Sequence, residues 1–135
     1  MNTQKITKTG SQIFIGFSIF SLGYVAILSL VNPQATMDLV KTSLPNTDAL
    51  SSIRGIYGGV GLVITFQLVY LLFKDVQKGL LFLSLFWGAY AVSRLITIFT
   101  NGALGDFGNQ WIMIETTFCA LAIALLFLSR KYAVA

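Results

Sequence analysis

Four long apolar stretches alternate with polar connectors along this chain, at roughly 13–31, 49–73, 79–99 and 111–128. A helix needs about 20 mostly apolar residues to cross a bilayer, and each stretch is close to that length. The first follows Lys5 and Lys8 and is closed by Asn32-Pro33. A cleaved leader has a shorter apolar core of about 7–15 residues and a small-residue cleavage site, so this stretch is expected to stay as a span. The second follows Asn46, Thr47 and Asp48, whose side chains can cap a helix start. Connectors 74–78 and 100–110 are short. The connector at 32–47 is longer, and Met37, Val40 and Leu44 recur there at helical spacing between Pro33 and Pro45. That segment reads as a short interfacial helix or, equally, as an irregular polar loop.

The pattern predicts an all-α fold, an integral membrane four-helix bundle forming one domain over 1–135. Charge then sets the orientation. With the amino terminus inside, the inner segments hold Lys5, Lys8, Lys74, Lys78, Arg130 and Lys131, and the outer connectors hold only Lys41. Excess Lys and Arg marks the cytoplasmic side, so both termini are expected there.

Composition agrees: 56% of residues are hydrophobic and 10% charged, against about 25% charged in ordinary soluble domains. The net charge of +4 is spread between apolar runs rather than clustered, which argues against a nucleic-acid surface. Cys119 is the single cysteine and has no intramolecular disulfide partner. The chain has no histidine, which excludes imidazole-based metal and haem sites and Ser-His or Cys-His catalytic pairs. No cofactor and no metal site is expected.

Three ionisable residues lie within the spans: Arg54 near the start of the second, Arg94 near the end of the third and Glu115 near the start of the fourth. Alternating span direction puts all three in the outer leaflet, the last two roughly 6–8 Å below the interface at 1.5 Å of rise per residue. At α-helical spacing, Tyr57 and Gly58 share a face with Arg54, Tyr90 and Thr97 with Arg94, and Trp111 and Cys119 with Glu115. Arg54, Tyr57, Arg94, Glu115, Tyr90 and Trp111 are therefore the candidate ligand-binding residues. One reading has Arg94 and Glu115 as an ion pair joining two helices while Arg54 snorkels to the head groups. The other has two cations and one anion leaving a positive charge for an external anionic group.

Gly58, Gly59 and Gly61 read as packing positions. The Tyr57-Gly58-Gly59 run has no following lysine and lies within a span, so it is no phosphate loop. The aromatic stripes Phe82, Phe86 and Trp87, and Phe14, Phe17 and Phe20, read as core or lipid-facing surface.

Leu30-Val31-Asn32-Pro33, then Arg54-Gly55-Ile56-Tyr57-Gly58-Gly59, Ser93-Arg94-Leu95-Ile96, Asn101-Gly102 and Glu115 together resemble an uncharacterised family of small bacterial four-helix membrane proteins. It is a domain-of-unknown-function family distantly similar to DoxX-like proteins, and the resemblance covers nearly the whole chain. It implies a multi-pass protein of the bacterial cytoplasmic (inner) membrane. The family pattern carries an acidic residue just before the second-span arginine and Asp-Gly in the third connector. This chain has Ser51, Ser52 and Ile53 before Arg54, and Asn101 in place of the aspartate, which removes negative charge and weighs against proton transfer.

Three functions compete. The first is a non-enzymatic module that binds an amphiphilic or lipid-like molecule in an outer-leaflet polar pocket. The second is an accessory subunit of a larger membrane complex, with a purely structural Arg-Glu pair. A membrane enzyme using Glu115 as acid or base ranks last, because a lone carboxylate beside two cations should stay ionised. The expected partners are membrane lipids, an amphiphilic small molecule, and a second copy or another membrane protein. A transporter would be expected to show an internal repeat or a helix broken at the midplane, and the sequence shows neither.

Overall fold

Three polar side chains between the apolar runs, Asn32, Asn46 and Asp75, serve as helix caps. The Asn32 side chain accepts from the Ala35 N–H at 3.2 Å, Asn46 from Ala49 at 2.9 Å and Asp75 from Lys78 at 3.0 Å. Each satisfies one of the donors orphaned at a helix start. Pro33 follows Asn32 at a first-turn position, where its missing N–H costs nothing.

The computed structural model describes residues 3–132. Its elements are α1 (Thr3–Val31), α2 (Pro33–Asp38), α3 (Thr47–Ile53), a π-helical segment (Arg54–Val60), α4 (Gly61–Lys74), α5 (Val76–Asn101) and α6 (Asp106–Lys131). No strand occurs among the described residues. Four helical stretches are long and apolar enough to cross a membrane: Thr3–Val31, Thr47–Lys74, Val76–Asn101 and Asp106–Lys131. The protein is all-α with four span-length helices.

The helices outrun the apolar stretches that announced them. α1 begins at Thr3 rather than near Ile13, and in this extension Thr7 and Ser11 are buried, with the Ser11 hydroxyl donating to the Thr7 carbonyl at 2.8 Å. Hydropathy marks where hydrocarbon begins, whereas the hydrogen-bond ladder continues past it. The 74–78 connector shrinks to Asp75, because its cap draws Val76 to Lys78 into α5. The 100–110 connector shrinks to 102–105, opened by Gly102 at φ +101°, a left-handed conformation that glycine adopts without strain.

Segment 32–47 is partly helix and partly loop. After α2 the chain turns, and Gln34 fastens the irregular part: its amide donates to Asp38 Oδ1 at 2.7 Å and to the Thr42 carbonyl at 3.0 Å, and accepts from the Leu44 N–H at 2.9 Å. Met37, Val40 and Leu44 thus do not share one helix.

Contacts divide the chain into two compact units, 16–70 on one hand and 1–15 with 71–135 on the other. In the latter, α5 and α6 pack as an antiparallel pair, with Leu80, Leu83, Ala122 and Leu126 buried. Phe118 takes edge-to-face contacts from Trp87 at 5.2 Å and from Phe14 of α1 at 5.7 Å. Gly79 lies where a Cβ would come within 2.9 Å of the Ile15 side chain.

In the 16–70 unit, a seam of small residues joins α1 to the second span. A Cβ on Gly58 would lie 2.6 Å from Leu30 Cδ2 and 3.3 Å from the Leu30 backbone nitrogen. One on Gly61 would lie 3.0 Å from Ala26 Cβ, and one on Gly23 3.3 Å from Thr65 Cγ2. Numbers rise along one helix as they fall along the other, so the two run antiparallel at close range, as small residues allow within hydrocarbon. Ser29 and Thr36 share a 2.8 Å hydroxyl hydrogen bond that ties α2 back to α1.

Hydroxyls within the spans are satisfied locally. Ser29, Thr65, Ser93, Thr97 and Thr100 each donate to the carbonyl four residues earlier. That arrangement removes the penalty of an open donor in hydrocarbon.

Candidate functional site

The α5–α6 hairpin puts the end of one helix beside the start of the other. On α6, Phe107, Trp111, Glu115 and Cys119 follow at steps of four and share a face; on α5, Ser84, Trp87, Ala91 and Arg94 follow at steps of three and four. Across this contact Arg94 Nε donates to Glu115 Oε2 at 2.6 Å and Nη2 to Oε1 at 2.8 Å. This is the two-pronged geometry that makes arginine–carboxylate pairs strong and oriented. Glu115 is 1% exposed, so its charge is buried, and Arg94 meets both of its oxygens. The Arg94 side chain is 21% exposed and its guanidinium lies 5.7 Å from the centre of the Phe107 ring.

The remaining candidates in this unit pack on other aromatic side chains. Trp111 packs on Phe107 with ring centres 5.8 Å apart, and Tyr90 on Phe86 at 5.1 Å. Cys119, one turn from Glu115, donates to the Ser84 carbonyl at 3.4 Å and abuts Gly88. A carboxylate with both oxygens held by one guanidinium is poorly placed to take a proton from a substrate, which suits electrostatic anchoring better than acid–base work.

Arg54 and Tyr57 belong to the other unit, and their setting differs from expectation. Arg54 opens the π-helical segment, is exposed, and donates from Nε to the Leu30 carbonyl at 3.1 Å. Leu30 is in the last turn of α1, so the arginine serves one of the carbonyls orphaned there, where a cation is favoured. Bonds from residue i to i+5 widen the turn, so positions four and five apart share a face. Gly58, not Tyr57, therefore continues the Arg54 face, and Arg54 and Gly58 both meet Leu30. Tyr57 is half-buried on a different side of the segment.

The structure thus joins Arg94 with Glu115 and sets Phe107 beside the guanidinium, with Trp111 one turn from Glu115 and Tyr90 one turn from Arg94. It sets Arg54 on Leu30 in the other unit. The Leu30 carbonyl escaped sequence reasoning because every residue carries a carbonyl and no side-chain pattern marks one. Trp87, expected in the core or facing lipid, is buried, and its indole N–H has no hydrogen-bond partner among the described residues.

Compared with known proteins, residues 10–126 match the family model described as a domain of unknown function, DUF4345. No curated protein and no solved structure matches the chain.

Proposed function

The chain belongs to the DUF4345 family, whose description assigns no activity, and from its geometry we propose that it is a non-enzymatic multi-pass membrane protein that binds the acidic head of an amphiphile. The observation that carries this reading is Arg54, an exposed cation with no carboxylate in ion-pair range among the described residues. Of the five N–H donors of its guanidinium, the Leu30 carbonyl takes one. The rest are free to hold a phosphate or carboxylate, and the planar fork suits either. Beside it Leu30, Val31 and Ile56 are exposed apolar side chains against which a hydrocarbon tail can lie. Arg94, with N–H groups that Glu115 does not use, is a second candidate donor within its own unit.

Native mass spectrometry of protein extracted in mild detergent tests this, comparing wild type with Arg54→Gln. A co-purifying amphiphile on wild type, largely lost from Arg54→Gln with the melting temperature little changed, is the expected result. Equal adducts on both, or none on either, would overturn it.

A second reading is favoured by the Arg94–Glu115 geometry itself. A buried carboxylate gripped at both oxygens needs no ligand, and such a pair suits a purely structural role in an accessory subunit of a larger membrane complex. Extraction as a stoichiometric assembly with another membrane protein, carrying no amphiphile, would favour that reading over the first.

A further inference from the structure

We propose that the lysine-rich end of the unit built from 1–15 and 71–135 binds the phosphate of an anionic lipid head group. The site is the cleft between α1 and the α4–α5 turn. Its lining does not include Arg54, and it does not depend on the reading above.

The α1 extension that hydropathy missed creates this cleft. Lys8 and Gln12, one turn apart on α1, form one wall, and 72–76 form the other, enclosing about 110 Å³. A single water needs only about 10–15 Å³ of such space, so a group of several heavy atoms fits. Lys8 and Lys74 both line it and have no carboxylate in ion-pair range among the described residues.

Asp75, the one acid in the lining, is already engaged: Oδ2 meets the Lys78 ammonium at 3.0 Å and Oδ1 the Lys78 N–H at 3.0 Å. Its charge is offset before any anion arrives. Gln12 adds an amide donor on the same helix face as Lys8. Two lysines and a glutamine among the lining residues of one small space can supply the donors that a phosphate monoanion needs.

Apolar surface selects a lipid over a free anion. Leu72, Phe73 and Val76 share the lining, and Phe73 is 80% exposed on a span, placed to meet an acyl chain. Lys8 precedes the start of the apolar stretch near Ile13 by five residues, about 7–8 Å at helical rise, which is head-group depth. Basic clefts at this level between spanning helices are suited to phospholipid head groups.

The test uses full-length protein carrying Arg54→Gln, so that adducts at that cation do not count. Native mass spectra are taken during titration with phosphatidylglycerol, phosphatidylcholine or inorganic phosphate. Lys8→Gln/Lys74→Gln should lower phosphatidylglycerol retention about thirtyfold, on the basis of about 1 kcal/mol for each of the two basic residues near an anionic lipid. Lys5→Gln/Arg130→Gln removes the same charge outside the cleft and should leave retention unchanged. Thermal melting checks that both variants are folded, and Lys74→Gln alone, with a smaller loss, replaces the double variant should that fail to fold. Equal losses in the two double variants would reduce the effect to diffuse charge and overturn the site. Equal retention of phosphatidylcholine, or inorganic phosphate binding with the same lysine dependence in the absence of lipid, would overturn the assignment to an anionic lipid.

Discussion

The α5–α6 contact and the seam between α1 and the second span solve one problem, an arginine inside an apolar helix, in opposite ways. In the first, Arg94 is matched to a buried carboxylate and the pair is complete. In the second, Arg54 has a backbone carbonyl for a partner and an exposed side chain, and the surrounding contacts come from small residues. The first arrangement derives its strength from charge and loses it when one partner goes. The second derives its strength from close approach of two backbones and keeps a cation in reserve. Candidate chemistry follows the unmatched charge, which is why Arg54 rather than Glu115 carries the proposed function.

The largest expected effect tests the matched pair. Glu115→Leu or Arg94→Met, each alone, leaves a charge uncompensated and should cost about 3–5 kcal/mol. The double substitution should cost less than the sum. A double-mutant cycle on unfolding in detergent measures the coupling, and strict additivity would mean that each residue finds another partner.

The seam predicts a smaller effect with a built-in control. Gly58→Ala puts a methyl against Leu30, whose backbone nitrogen cannot retreat, and should destabilise by about 1–3 kcal/mol. Gly55→Ala, three residues away, meets nothing within 4 Å and should be neutral or stabilising by up to about 1 kcal/mol through helix propensity. Equal melting temperatures for the two variants would remove close approach as the basis of the seam.

Smallest is the effect at Asp75, which lies in neither contact. The Lys78 backbone N–H, and then its ammonium, hold this carboxyl below its ordinary value of 3.8. A depressed value in the folded state means that the stabilisation is present above the unfolded value and lost as pH falls through the folded one. Asp75→Asn keeps a capping oxygen and loses the titration. Its melting temperature should match wild type under strongly acidic conditions and fall slightly below it at neutral pH. A gap that widens on acidification would contradict this.

Much of the scaffold was legible because it rests on side-chain patterns. Lys5 and Lys8 before an apolar run, Asn46 before a helix and opposite charges at Arg94 and Glu115 are all visible in one dimension. The extension of α1 to Thr3 was not, since Thr7 and Ser11 look like loop residues until the packed helix shows them buried. Nor was the pairing of Arg54 with Leu30, which depends on a backbone atom. The alignment of Arg54 with Tyr57 failed for a single reason: an α-helical count was applied where the turn is wider. Glycines at 58 and 61 read correctly as packing positions, because in a span close approach is their commonest use.

That wider turn has a consequence for how the second span is phased. A helix that closes its rings over more residues uses up extra sequence for the same rotation, so Arg54–Val60 acts as a vernier between α3 and α4. Residues on the two sides of it are offset in azimuth from where an unbroken α-helix would set them. Loss of one residue there, with a return to α-helical bonding, would therefore leave α3 and its capped start at Asn46 near their present bearing, whereas the same loss from the α-helical part of the span would swing everything before it by about 100° about the span axis.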